Sequence, residues 1–196
     1  MILGAITNSW GEQIHGIDLA RLVERVRRRG ASHVELRQTY LGQYEEGAGD
    51  DWRPVVDKMA RLFRTFPGLT FNLAIAYPCL TTEPDPSSPR FQASLEAAKA
   101  VCPLAPRLRI VDTARFDGRC ESPGDIPPTA LGVADLARES ARQGVYLFME
   151  NAGQPIRSMA LVVQVARRMR SSEEAPFLGL CVDPINSIRV ELDSDP

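Results

Sequence analysis

Short apolar runs, rich in β-branched residues, alternate along the chain with longer amphipathic segments. Six such runs predict β-strands, and they cover Ile2–Thr7, His33–Arg37, Thr70–Ala76, Leu108–Asp112, Val145–Glu150 and Leu178–Asp183. The last two runs are almost continuously apolar, which is typical of strands that are covered on both faces. Strands that alternate with helices predict a parallel sheet with crossover helices, and therefore an α/β fold.

Between the predicted strands, apolar residues recur with the period of an α-helix. The first helix has Asp18 as a candidate N-cap, an apolar stripe from Leu19 to Val26, arginines near its end and Gly30 as a stop signal. Further helices are predicted at Trp52–Phe66, Arg90–Val101, Thr129–Gln143 and Ile156–Arg170.

Two architectures fit this alternation, an open doubly wound sheet and a (β/α)8 barrel. The sequence has no P-loop and no dinucleotide-type glycine turn, because Gly47 and Gly49 do not directly follow a strand. This favours the barrel. A (β/α)8 barrel typically needs about 250 residues, whereas this chain has 196. We therefore expect a single domain over residues 1–196 that contains the first six βα units of a barrel. We also expect either that the chain continues beyond Pro196 or that a partner, such as a second copy in a homo-oligomer, completes the sheet.

The bulk composition excludes several classes of protein. A net charge of −2 and a pI of about 5.8 give no electrostatic basis for binding nucleic acid or an anionic membrane surface. No run approaches the roughly 20 apolar residues of a membrane span, and Met1–Thr7 lacks the basic residues that begin a signal peptide. Four cysteines without a CxxC pair indicate reduced thiols and a cytoplasmic location.

Acidic residues stand at or near the carboxyl ends of four of the predicted strands: Glu35, Asp112, Glu150 and Asp183. The carboxyl ends of barrel strands carry functional side chains. An acidic residue at the end of an apolar strand is unfavourable unless it is paired or bound to a cation. A helix cap or a salt bridge explains any one of these residues alone. Glu150 and Asp183 together, on adjacent strands, indicate a hard cation held by oxygen ligands.

Two segments carry a resemblance to a known family. Phe148–Gly153 and Gly179–Ser187 resemble the fifth- and sixth-strand motifs of the xylose isomerase-like TIM-barrel superfamily, and in particular of its sugar phosphate isomerase/epimerase branch. That branch often has Glu-Asn-His at the end of the fifth strand and an aspartate followed by histidine or asparagine after the sixth. Here Ala152 and Asn186 stand at positions where relatives often have histidine.

The resemblance implies a divalent metal ion (manganese, magnesium, cobalt or zinc) bound by Glu150 and Asp183. It also implies that Glu150 is catalytic and moves the proton next to a carbonyl through an enediolate. We predict that a small sugar-like substrate is contacted by a set of aromatic, acidic and amide side chains: Trp10, Glu35, Asn72, Tyr77, Asn151 and Asn186. A packed aromatic role explains Trp10 equally well, and Asn72 equally suits the satisfaction of backbone groups.

Several functions remain open. The leading hypothesis is a metal-dependent sugar isomerase or epimerase, and a dehydratase of the same superfamily would use the same groups. A barrel that binds a sugar-like ligand or a protein without catalysis is an alternative of a different class. The two histidines and the acidic pI argue against a relative of the zinc-dependent apurinic endonucleases.

Overall fold

A computed structural model describes residues 3–116, 119–186 and 188 of the chain. Its strands, in chain order, are β1 (Gly4–Ile6), β2 (His33–Arg37), β3 (Glu45–Glu46), β4 (Arg53–Pro54), β5 (Thr70–Ala76), β6 (Arg107–Val111), β7 (Tyr146–Glu150) and β8 (Leu178–Cys181). Six of them form one sheet in the order β1-β2-β5-β6-β7-β8, and β3 pairs antiparallel with β4. The predicted parallel sheet, with its strands in sequential order, is confirmed. The predicted strand residue Ile2 lies outside the described residues.

Among the described residues, five α-helices with both ends in view follow strands of the main sheet. They are α1 (Leu19–Arg27), α2 (Val56–Thr65), α3 (Pro89–Val101), α4 (Val133–Arg142) and α5 (Ile156–Arg168). Short 3₁₀ turns lie at Thr7–Trp10, Gln13–His15, Gly42–Tyr44, Gly49–Asp51, Pro123–Asp125, Pro128–Gly132 and Ala175–Phe177. In the part of the chain that the structure describes, no helix is long and apolar enough to cross a membrane.

The chain divides into two compact units. The first comprises Met1–Ile75 and Ser87–Leu108, and the second comprises Ala76–Pro86 and Arg109–Pro196. The prediction of a single domain therefore stays a prediction.

In the first unit, β1, β2 and β5 are parallel, with Ile6 beside Glu35 and Glu35 beside Asn72. Alternate residues of β2 divide between the two faces of the sheet. Val34 and Leu36 are fully buried on one face, while His33, Glu35 and Arg37 lie half-buried on the other. This second face therefore carries polar side chains along two neighbouring strands.

The predicted helix start at Trp52 is wrong, because α2 begins at Val56. Arg53 precedes a proline, and a residue before proline is disfavoured in the helical region. Arg53 and Pro54 instead form β4, and the indole N–H of Trp52 donates to Glu45 Oε2 over 2.7 Å. The indole is thereby fixed beside the small β3–β4 sheet.

In the second unit, β7 and β8 are parallel, with Phe148 beside Gly179 and Glu150 beside Cys181. A Cβ at position 179 would lie 2.8 Å from a carbon of the Phe148 ring, so the ring would have to shift to accommodate it. The predicted helix start at Thr129 is wrong, because Pro128–Gly132 forms a 3₁₀ turn and α4 begins at Val133. Strands β6 and β8 end earlier than predicted, at Val111 and Cys181. Asp112 and Asp183 therefore lie in the loops that follow these two strands.

Candidate active site

Glu150 is the last residue of β7, and its carboxylate is buried against an arginine. Its Oε2 atom forms an ion pair with the guanidinium of Arg109 from β6, and the side chains of Arg109 and Glu150 are only 6% and 7% exposed. Oε2 has no further hydrogen-bond partner among the described residues. Because two opposite charges are buried in contact, the negative charge of Glu150 is offset inside the protein.

Asn186 links Glu150 to Asp183. Its side-chain amide donates to Glu150 Oε1 over 2.9 Å, and its backbone N–H donates to Asp183 Oδ1 over 3.2 Å. The backbone N–H of Ile185 donates to the same Asp183 oxygen over 2.9 Å. Asp183 thus caps the helical turn that follows it, while Asn186 contacts both predicted metal ligands.

Asn151 connects the segment after β7 to the segment after β8 by hydrogen bonds. Its side chain is fully buried. Its Oδ1 accepts from the backbone N–H of Asp183 over 2.7 Å, and its Nδ2 donates to the backbone carbonyl of Asp183 over 2.9 Å. The side-chain amide offers one donor and one acceptor, as a backbone peptide group does. It therefore continues the hydrogen bonding between β7 and β8 past the last paired residues of the two strands. The prediction that Asn151 contacts substrate stays a prediction.

In the first unit, two other predicted site residues lie in one hydrogen-bonded chain on the polar face of β2 and β5. Asn72 Nδ2 donates to Glu35 Oε2 over 2.8 Å, and Asn72 Oδ1 lies 2.7 Å from His33 Nε2. His33 Nδ1 lies 2.9 Å from the hydroxyl of Thr70. The Asn72 amide therefore orients the Glu35 carboxylate, and its own orientation is fixed by His33.

The two remaining residues that were predicted to contact substrate, Trp10 and Tyr77, lie outside the strands and α-helices. Trp10 is half-buried in the 3₁₀ turn after β1. Tyr77 is buried after β5, and its hydroxyl donates to the backbone carbonyl of Asp85 over 2.6 Å. For both residues, contact with a substrate stays a prediction.

Asp112 is a structural carboxylate in the second unit. It accepts three backbone N–H groups, from Cys79 over 2.7 Å, Leu80 over 2.9 Å and Ala114 over 2.8 Å. Burial and the nearby charge of Asp112 raise the pKa of the Cys79 thiol. The carboxylate thus joins the loop after β5 to the loop after β6, which accounts for this strand-end acid without a cation.

The arrangement at Glu150 and Asp183 does not fit a divalent ion as it stands. Arg109 lies against one Glu150 oxygen, and N–H donors point at the other and at Asp183 Oδ1. Across residues 3–116, 119–186 and 188, no group of three or more His, Cys, Asp or Glu side chains is placed to hold a metal. A guanidinium in contact with the carboxylate also repels a divalent cation. Metal binding by Glu150 and Asp183 therefore stays a prediction, and no chemical step is derived through it.

Arg109 is the site residue that the sequence analysis missed. A signal existed, because an arginine between Leu108 and Ile110 in a buried strand must find a partner. A second buried arginine is Arg90 in the first turn of α3, which donates to Gln38 Oε1 over 3.1 Å. The sequence alone does not identify the partner of either arginine.

Comparison with known proteins gives structural neighbours only. No protein-family model and no curated protein sequence matches the chain. Its fold is similar to that of an L-ribulose 3-epimerase, with a TM-score of 0.61 and 15% identity over 100% of this chain and 64% of the other. A D-psicose 3-epimerase from Clostridium cellulolyticum H10, solved with D-tagatose, gives a TM-score of 0.55 at 14% identity over 100% and 67%. A xylose isomerase domain protein from Alicyclobacillus acidocaldarius subsp. acidocaldarius gives 0.54 at 18% identity over 95% and 64%.

These neighbours confirm the predicted fold. The chain has the fold of a TIM barrel, of which it contains a six-stranded part, and this fold is similar to that of a xylose isomerase domain protein. It spans about two thirds of the length of these neighbours.

Proposed function

We propose that this chain is the part of a sugar isomerase or epimerase that carries the proton-transferring carboxylate, and that this carboxylate is Glu150. The supporting observation is the position of Glu150, a buried acid at the carboxyl end of β7 beside two N–H donors, Arg109 and Asn186. The similarity of fold to sugar epimerases supports the same class of substrate. That substrate is a small sugar-like molecule with a hydroxyl group next to a carbonyl.

The proposed reaction is a proton transfer through an enediolate. Glu150 takes the proton from the carbon next to the carbonyl, the C–H electron pair forms the C=C bond, and the carbonyl π electrons move to its oxygen. Return of the proton from Glu150 to the neighbouring carbon, while the hydroxyl proton moves to the other oxygen, gives an isomer. Addition of a proton to the opposite face of the original carbon gives an epimer, and this requires a second acid on that face. Once Glu150 is protonated, it attracts Arg109 less strongly. The guanidinium and the Asn186 amide then serve as donors to the enediolate oxygens.

Deuterium uptake tests this proposal without knowledge of the product. The chain is incubated in D2O with D-fructose, D-tagatose or L-ribulose, and the signal of the proton next to the carbonyl is followed by proton NMR. We expect this signal to decay with the wild type. Since an amide cannot accept the proton, Glu150→Gln should abolish the decay. The matched control Glu173→Gln changes an exposed acid of the same unit and should leave the rate unaltered. Equal rates for wild type and Glu150→Gln would end the assignment of Glu150.

A non-catalytic sugar-binding domain is the second candidate. It is favoured by the ion pair, because the guanidinium of Arg109 already occupies one oxygen of the proposed base. In this case the same incubation should show no deuterium uptake, while calorimetry should still detect binding of one of the sugars.

The finer expectations remain part of the proposal. Manganese, magnesium, cobalt or zinc at Glu150 and Asp183 is tested by metal analysis of the purified chain. A homo-oligomer is tested by light scattering. The cytoplasmic location rests on the cysteine pattern, and none of the four cysteines, all of which lie among the described residues, forms a disulfide.

A further inference from the structure

We propose that Arg109 is a built-in counter-cation of the Glu150 site, which competes with divalent metal ions and thereby sets the metal affinity of the site. The inference concerns the site of the proposed function but depends on metal binding and not on turnover. The groups in contact with Glu150 and Asp183 are N–H donors and a cation, whereas the resemblance leads to the expectation of a metal ion there.

Hydrogen bonding alone does not exclude a metal ion. A carboxylate offers about four lone-pair positions, and the donors from Arg109 and Asn186 leave room for a further ligand bond at Glu150. The charge of Arg109 is the stronger effect. Its guanidinium contacts the carboxylate with both side chains almost fully buried, where solvent screens little.

The charge balance of the site points the same way. Glu150 and Asp183 contribute two negative charges, and Arg109 offsets one of them. Among the described groups in this contact, that leaves one negative charge, which attracts a divalent ion less strongly than two would. Without the arginine, the two carboxylates match the charge of such an ion, and Asn186, which contacts both of them, adds a neutral amide oxygen that can turn toward it.

The strand that carries Arg109 also offers a matched control residue for its substitution. Arg107 lies two residues earlier in β6, on the same face of the strand, and is exposed. A substitution of Arg107 removes the same type of charge from the same strand without touching the buried pair. It therefore separates a specific effect of Arg109 from a change in the net charge of the protein.

The test is calorimetric titration of the full chain with Mn²⁺. We expect Arg109→Met to bind Mn²⁺ at least about tenfold more tightly than the wild type, a change of about one logarithmic unit in Kd. Arg107→Met should match the wild type. The double variant Arg109→Met with Glu150→Gln should lose the gain, because the amide removes the negative charge that the ion requires. A melting temperature that rises further with Mn²⁺ in Arg109→Met than in the wild type should accompany the change in affinity.

Two conservative variants keep the test decisive if Arg109→Met does not fold. Arg109→Gln keeps a hydrogen-bond donor without the charge and should gain affinity. Arg109→Lys keeps the charge and should bind Mn²⁺ as weakly as the wild type. Equal Mn²⁺ affinity for the wild type and for a folded Arg109→Gln overturns the inference. A failure of deuterium uptake does not affect it, because the titration measures binding alone.

Discussion

The Asn151 side chain gives the sharpest test of how the site is held together. Replacing it with alanine removes two hydrogen bonds to the Asp183 backbone. A typical intramolecular hydrogen bond contributes about 0.5–1.5 kcal/mol net, and an unsatisfied buried backbone group costs about 1–3 kcal/mol. Because Asp183 is half-buried, water replaces part of the loss. We therefore expect Asn151→Ala to lower the free energy of unfolding by about 2–3 kcal/mol.

Urea unfolding followed by circular dichroism measures this loss. For a chain of this size, 1 kcal/mol corresponds to about 2–4 °C, so the melting temperature should fall by about 4–12 °C. Asn151→Asp should be worse at neutral pH, since it turns a carboxylate oxygen toward the Asp183 carbonyl, and it should recover as the pH falls and the acid becomes protonated. Asn8→Ala, at an exposed asparagine, is the control. A loss below about 0.5 kcal/mol for Asn151→Ala, the range of ordinary surface changes, would refute the reasoning.

Three further predictions follow from other contacts. Asp112→Asn should lower the free energy of unfolding in urea by about 1.5–3 kcal/mol, because the three backbone donors lose a charged acceptor; an unchanged midpoint would contradict this. Gly179→Ala should lower the free energy of unfolding in urea by about 1–3 kcal/mol, since its Cβ overlaps the Phe148 ring. An unchanged free energy of unfolding would show that the ring moves freely. Hydrogen bonds from two arginines of the same helix region lower the pKa of Glu24 from 4.5 to about 2. Because the pKa is lower in the folded state, the resulting stabilisation is present above pH 4.5 and is lost as the pH falls toward 2. Glu24→Gln should therefore flatten the dependence of the melting temperature on pH between these values. If the melting temperatures of the variant and the wild type fall equally with pH, Glu24 does not have this role.

Most of the fold could be predicted from the sequence because hydrophobic periodicity and helix-stop signals agree along this chain. Asp18 caps α1 as expected, with its side chain accepting from the Ala20 N–H. The errors are local and have local causes. Trp52 fits the apolar stripe of α2, but Pro54 keeps the preceding residue extended, and the indole is fixed by Glu45. Pro128 similarly begins a 3₁₀ turn before α4.

The candidate site could be predicted only in part. Strand ends in a parallel sheet meet at one edge, so Glu150 and Asp183 on neighbouring strands were expected near each other, and Asn186 contacts both. The sequence does not show which donors occupy these carboxylates. Arg109 lies on β6 and Glu150 on β7, so their pairing depends on tertiary structure alone.

The hydrogen-bonded chain on β2 and β5 has a consequence for where its hydrogens lie. Because Asn72 Nδ2 donates to Glu35 Oε2, it is the amide oxygen of Asn72 that faces His33 Nε2, and an amide oxygen only accepts. The direction of the Asn72 amide therefore requires a hydrogen on His33 Nε2. At the other end of the chain, the Thr70 hydroxyl lies 2.9 Å from His33 Nδ1 and 3.1 Å from the Ser32 carbonyl, and its single hydrogen can serve only one of these two partners at a time. The carboxylate of Glu35 thus determines the direction of the hydrogen bonds as far as the imidazole ring.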